Sequence, residues 1–133
     1  MRYWIDLCET VEPDGFLYHV TPKTDLLAIT STGVRPGSYW GTMEIADYYA
    51  KVIEEDGGEP VFIRASVSVF TESKLRPDKP GLEEPITTVI GKSKEEIWEA
   101  WESSNKTWKD CLDLIGSVQY MKVMHLPPAE VKT

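Results

Sequence analysis

Between residues 16 and 124 the spacing of apolar positions changes period several times, and each change predicts an element. Phe16 to Thr21 is a short apolar run entered from Pro13-Asp14-Gly15, which reads as a buried strand after a turn. Leu26, Leu27 and Ile29 suggest a short helix capped by Thr24 or Asp25. Gly33 stands where a helix C-terminus takes a residue with positive φ. Pro36-Gly37 marks a loop and Ser38 to Gly41 a short extended piece. The spacing then turns helical. Ile45, Tyr48, Tyr49, Val52 and Ile53 form one stripe, with Thr42 as N-cap, Glu44 in the first turn and Gly57-Gly58 as the stop.

Pro60 to Phe70 alternates, with Ala65, Val67 and Val69 on one face and Arg64, Ser66 and Ser68 on the other, the pattern of a strand. Thr71 to Gly91 carries Pro77, Pro80 and Pro85 among scattered charges and reads as a long exposed connection. Ser93 with Glu96 makes a capping-box pattern. Trp98, Trp101, Trp108, Leu112 and Ile115 follow at helical steps, an apolar stripe for the core. They lie on one long helix or on two broken near Ser103-Ser104-Asn105, and Gly116 ends the run. Val118 to Met124 is the last strand, and Pro127-Pro128 turns the chain into a tail. Strands and helices mix without repeating βαβ units, so the fold class is α+β.

Composition narrows the picture. A chain of 133 residues builds one domain around one core. Its 41% apolar and 27% charged content is that of an ordinary folded domain. No apolar run reaches membrane-spanning length, and Asp6, Glu9 and Glu12 interrupt any secretory signal. Cys8 and Cys111 are too few for a disulfide framework or a metal cluster, so a reduced, cytoplasmic setting is expected. Cys111 itself reads as a buried helix residue. A net charge of −8 excludes a non-specific nucleic-acid binder, which needs a basic face. It leaves open an enzyme acting on nucleic acid through a local patch, and an acidic inhibitor facing a basic partner.

Several common sites are absent. There is no phosphate-cradling glycine loop, no HExxH and no GxSxG elbow, and His19 and His125 are the only histidines, so no metal site is expected. What remains is "LYHVT", then "YWGTMEIADYYA", then "VQYMKVM". In order and spacing these resemble the three signature segments of the ADP-ribosyltransferase fold, in the branch shared by poly(ADP-ribose) polymerases and diphtheria-type toxins. Leu17, Tyr18, His19 and Thr21 match its histidine strand. Tyr39-Trp40 and Ala46-Asp47-Tyr48 match its tyrosine segment, and Gln119-Tyr120 its third strand. The residues from Thr71 to Gly116 have no counterpart.

The resemblance implies one ADP-ribosyltransferase-like domain over residues 1–133, with a split antiparallel sheet, flanking helices and a cleft between the sheet halves. It implies NAD as substrate and a single ADP-ribosyl transfer to a protein or nucleic-acid acceptor, or to water. Tyr39 and Tyr48 would sandwich the nicotinamide, with Tyr49 the alternative inward ring, since aromatic faces hold flat rings. His19 would bond a ribose hydroxyl, and the Val20 backbone and Thr21 the carboxamide. Gln119 would contact the ribose where positive charge develops. Gln119 stands where the more active members carry glutamate, and Val20 where glycine is usual. Both favour the alternative of a weak or non-catalytic module that binds a nucleotide or a partner protein.

Overall fold

The described residues of the computed structural model are 2–6, 15–67, 70, 75–83 and 93–125. Six strands form one mixed sheet: β1 (Tyr3–Asp6), β2 (Phe16–Pro22), β3 (Ser38–Gly41), β4 (Pro60–Ser66), β5 (Leu75–Pro77) and β6 (Ser117–Tyr120), in the order β1-β4-β2-β3-β6-β5. The helices are α1 (Leu26–Thr32), reached through a 3₁₀ turn at Lys23–Asp25, then α2 (Met43–Glu55), α3 (Lys94–Ser103) and α4 (Trp108–Ile115). The α+β class holds. The expectation of an antiparallel sheet is corrected at one place, because β1 runs parallel to β4 while the other pairs are antiparallel.

The sheet comes in two halves. β2 pairs with β4 along its whole length, from Phe16 opposite Ser66 to Pro22 opposite Pro60. β3 pairs with β6 from Ser38 opposite Tyr120 to Gly41 opposite Ser117. Between β2 and β3 the register holds a single pair, Tyr18 with Gly41, and beyond it the strands part. Gly41 therefore touches both halves. Its backbone is crowded there: a Cβ would stand 2.2 Å from the Gly116 carbonyl oxygen, which already accepts the Thr42 N–H at 2.9 Å. Only glycine fits at such an approach.

Two packed layers follow from the alternation of the strands. Leu17, Val61, Ile63 and Ala65 point to the main core, with Trp40, Phe70, Leu75, Leu82, Trp101, Trp108, Val118 and Tyr120. Phe62, Tyr18 and Val20 point the other way, onto Ala46 and Ala50 of α2. The tryptophan stripe is core, with Trp98 packed against it. It lies on two helices. Asn105 breaks them at φ 55, and a Thr107–Asp110 capping box starts the second.

Three expectations change and one strand is new; the last strand, expected from Val118 to Met124, runs from Ser117 to Tyr120. The stretch from Thr71 onward is not all exposed connection: β5 pairs with β6, and Leu75, Asp78 and Leu82 are buried, the last in a helical turn at 79–83. The alternating strand from Pro60 ends at Ser66, with Val67 in a turn and Val69 outside the described residues. β1, too short and mixed to stand out in the sequence, adds an edge strand beside β4. The turns at Pro13-Asp14 and Pro127-Pro128, and Cys8, also lie outside the described residues.

Candidate functional site

The gap between β2 and β3 is where chemistry collects. Past the Tyr18–Gly41 pair, β2 no longer serves the carbonyls of β3 by its backbone, and a side chain takes over. His19 Nδ1–H donates to the Tyr39 carbonyl oxygen at 2.7 Å. A carbonyl can only accept, so this bond fixes the Nδ1–H tautomer and leaves Nε2 as an acceptor. The imidazole also lies against the indole of Trp40, ring centres 5.2 Å apart and planes tilted by 32°. Burial pushes the His19 pKa down, partly offset by the Tyr39 bond, so the ring is neutral at pH 7.

A cavity of about 300 Å³ opens beside this histidine. β2 contributes Tyr18, His19 and Val20 to its wall, β3 contributes Tyr39, Trp40 and Gly41, and α2 contributes Ile45, Ala46 and Tyr49. Ser117 of β6 completes it. The described lining carries no formal charge, and its groups are rings, small apolar side chains and hydroxyls. A flat neutral ring suits such a wall, by stacking and by bonds to the few polar atoms. Ser117 is a buried residue at the cavity wall, and it brings a hydroxyl to that wall.

Of the residues expected at the site, the fold brings together His19, Val20 and Tyr39. Tyr48 is turned out to solvent at 62% exposure, and Tyr49 takes the place on the cavity wall. The two phenol rings meet edge to face, 5.5 Å apart at 75°. Partial burial raises the Tyr49 pKa, helped by the nearby Asp78, Tyr48 and Tyr39. Gln119 stands directly across from Tyr39 in the ladder but does not line the cavity. Its Nε2–H donates at 2.9 Å to the Gly37 carbonyl, tying the amide to the turn before β3. Thr21 lies on the far side of His19, in a second cavity of about 320 Å³ walled by β2, α1 and the turn after α1.

Ile45 and Ser117 are lining residues the sequence did not single out, and Tyr49 entered only as the alternative to Tyr48. Ile45 and Tyr49 are a helical step of four apart, and that spacing was the available signal. Ser117 gave none. Cys111 is fully buried; its thiol donates to the Ser117 carbonyl at 3.2 Å and accepts from Asp78 N–H at 3.3 Å, and burial pushes its pKa up to about 11. It is a packing residue. Among the described residues no three His, Cys, Asp or Glu side chains converge as metal ligands, and no helix is long and apolar enough to cross a membrane. Comparison of the chain with protein-family models, with curated proteins and with solved structures finds no match.

Proposed function

We propose that the chain binds NAD with the nicotinamide in the first cavity and transfers one ADP-ribosyl group to a macromolecular acceptor, or to water. The observation that carries this is the cavity itself: a ring-sized space at the parting of β2 and β3, with a histidine and three tyrosines on its wall. Tyr39 and Tyr49 supply aromatic faces, Ser117 and the Val20 backbone supply polar contacts for a carboxamide, and His19 Nε2 accepts from a ribose hydroxyl. In the reaction the bond from ribose C1′ to the nicotinamide nitrogen breaks, and its electron pair neutralises the pyridinium. An acceptor oxygen or nitrogen then bonds C1′ and gives up its proton. The protein's part is to hold the ring, orient the sugar and exclude water from one face.

A specific feature favours a second, weaker function: the same site binding a nucleotide without turnover. Among the described residues no carboxylate lines the cavity to stabilise a positive ribose, and the Gln119 amide is engaged with Gly37. The test is nicotinamide release from NAD, read alongside NAD binding. Release that disappears in His19→Ala and Tyr49→Ala but persists in Tyr48→Ala supports the transferase. Saturable binding with no release, across protein, nucleic-acid and water acceptors, supports the binding module. Absence of NAD binding overturns both.

A further inference from the structure

The outer face of α2 differs from the rest of the surface. Tyr48, Tyr49 and Val52 of α2 are exposed, and Tyr39 of β3, which borders the same cavity as Tyr49, extends the patch beyond the helix. Of the aromatic residues described, these three tyrosines alone are exposed. Elsewhere the chain covers its outward rings with its own cations: Lys23 lies over Tyr3, Arg64 over Phe16, Lys79 over Trp98 and Lys106 over Trp101. Among the described residues no cation lies over Tyr39, Tyr48 or Tyr49. The carboxylates of α2 divide in the same way. Asp47 and Glu54 pair with Arg2, and Asp47 also with Lys51. Glu44, one step of four before Tyr48, and Glu55, one step of three after Val52, are exposed. Neither takes part in an ion pair among the described residues.

We propose that this face docks an arginine-bearing segment of a basic partner protein. An uncovered phenol face attracts a cation, and the flat, weakly hydrated guanidinium stacks on it better than an ammonium does. Tyrosine suits such a surface because it presents a large contact area with few torsions to freeze. Glu44 and Glu55 lie about 16 Å apart along the helix axis, with Tyr48 and Val52 between them. An extended segment covers that distance in about five residues, so a short peptide with an arginine toward each end spans the face. The same charges disfavour other occupants. A second copy of this chain, itself at −8, sets carboxylates against carboxylates, and nucleic acid sets phosphates against them. The proposal rests on this face alone and holds whether or not the first cavity takes NAD.

Fluorescence anisotropy tests it, with a labelled short peptide of alternating glycine and arginine titrated with the whole chain at physiological salt and without NAD. Saturable binding is expected, and Tyr48→Ala is expected to weaken it roughly fivefold through loss of the stacking ring. Glu44→Gln combined with Glu55→Gln is expected to weaken it by a similar factor. Glu99→Gln combined with Glu102→Gln makes the same change in net charge on α3, which packs on the other face of the sheet. That pair is expected to leave the affinity within about twofold of wild type, because salt screens distant charges. The matching glycine–lysine peptide is expected to bind at least about threefold more weakly. Tyr48 and the four glutamates are exposed, so the melting temperature of each variant confirms that the fold is kept. Absence of saturable binding, or unchanged affinity in Tyr48→Ala, overturns the proposal. Equal weakening by the two glutamine pairs also overturns it, since the charge of the whole chain is then the attraction. Lysine bound as tightly as arginine overturns it too, because stacking then contributes nothing. Tyr39 and Tyr49 stay intact throughout because they also border the cavity, so this result and that of nicotinamide release fail separately.

Discussion

His19 does three things with one ring: it closes a gap in the backbone pairing, it packs on Trp40, and it faces both cavities. Burial holds its folded pKa below the unfolded value, so the unfolded chain takes up the proton first as pH falls. The stability tied to neutral His19 is therefore complete above the ordinary histidine range and is lost as pH drops through it toward the folded pKa. Urea denaturation should show wild type losing more stability than His19→Gln between about pH 7.5 and about pH 5.5. Equal losses would place the ring's titration outside the folding balance. The histidine was legible in the sequence because it falls in LYHVT, the first of three segments whose order and spacing carried the resemblance. The choice of Tyr49 over Tyr48 was not. Both fit the same stripe, and only the angle at which α2 meets β2 and β4 decides which one borders the cavity.

That angle is an element-scale fact. The apolar stripe of α2 suggested that its large side chains would be buried, yet the buried residues are Ala46 and Ala50, against Phe62, Tyr18 and Val20. Small residues let the helix lie close to the sheet, and Tyr48, Tyr49 and Val52 are left exposed, Tyr49 at the cavity wall. Ala50→Leu should then cost about 1–3 kcal/mol by overpacking, whereas Tyr48→Ala should stay within about 0.5 kcal/mol of wild type. Chemical denaturation of the pair measures the contrast, and a larger loss in Tyr48→Ala would mean the helix face is wrongly assigned. Thr107→Ala should cost about 1 kcal/mol by removing the cap of α4. The ends of the longer helices were more legible than those of the strands. Thr42 and Ser93 accept from Ile45 and Glu96 N–H as their sequence positions implied, and Gly33 and Gly116 take positive φ. β1 and β5 were not legible. At four and three residues, they are edge strands whose partners lie far along the chain, so no local period marks them.

At the scale of the whole molecule, the sheet order and the parting of its halves depend on contacts between residues distant in sequence. The sequence segments named the participants but not the parallel β1–β4 pair or the second cavity. Trp40, 1% exposed, touches His19 on one side and Phe70 on the other, and so ties the gap to the main core. Trp40→Ala should cost about 3–5 kcal/mol, a large part of what holds a domain of this size. Thermal unfolding should show it, and a small shift would mean the two halves are held some other way. The charge of −8 sets a further expectation: moderate salt should raise the melting temperature by screening self-repulsion. Arg2 pairs with Asp47 and Glu54, and Arg64 with Asp6, so part of the repulsion is already offset locally.

The lone Tyr18–Gly41 pair makes the spacing between the two slabs a property of side chains, not of a hydrogen-bonded ladder. An aperture set that way can be widened, narrowed or re-lined by exchanging three or four residues, with every strand keeping its neighbours. A lineage carrying this framework could change the width and chemistry of the gap without having to refold.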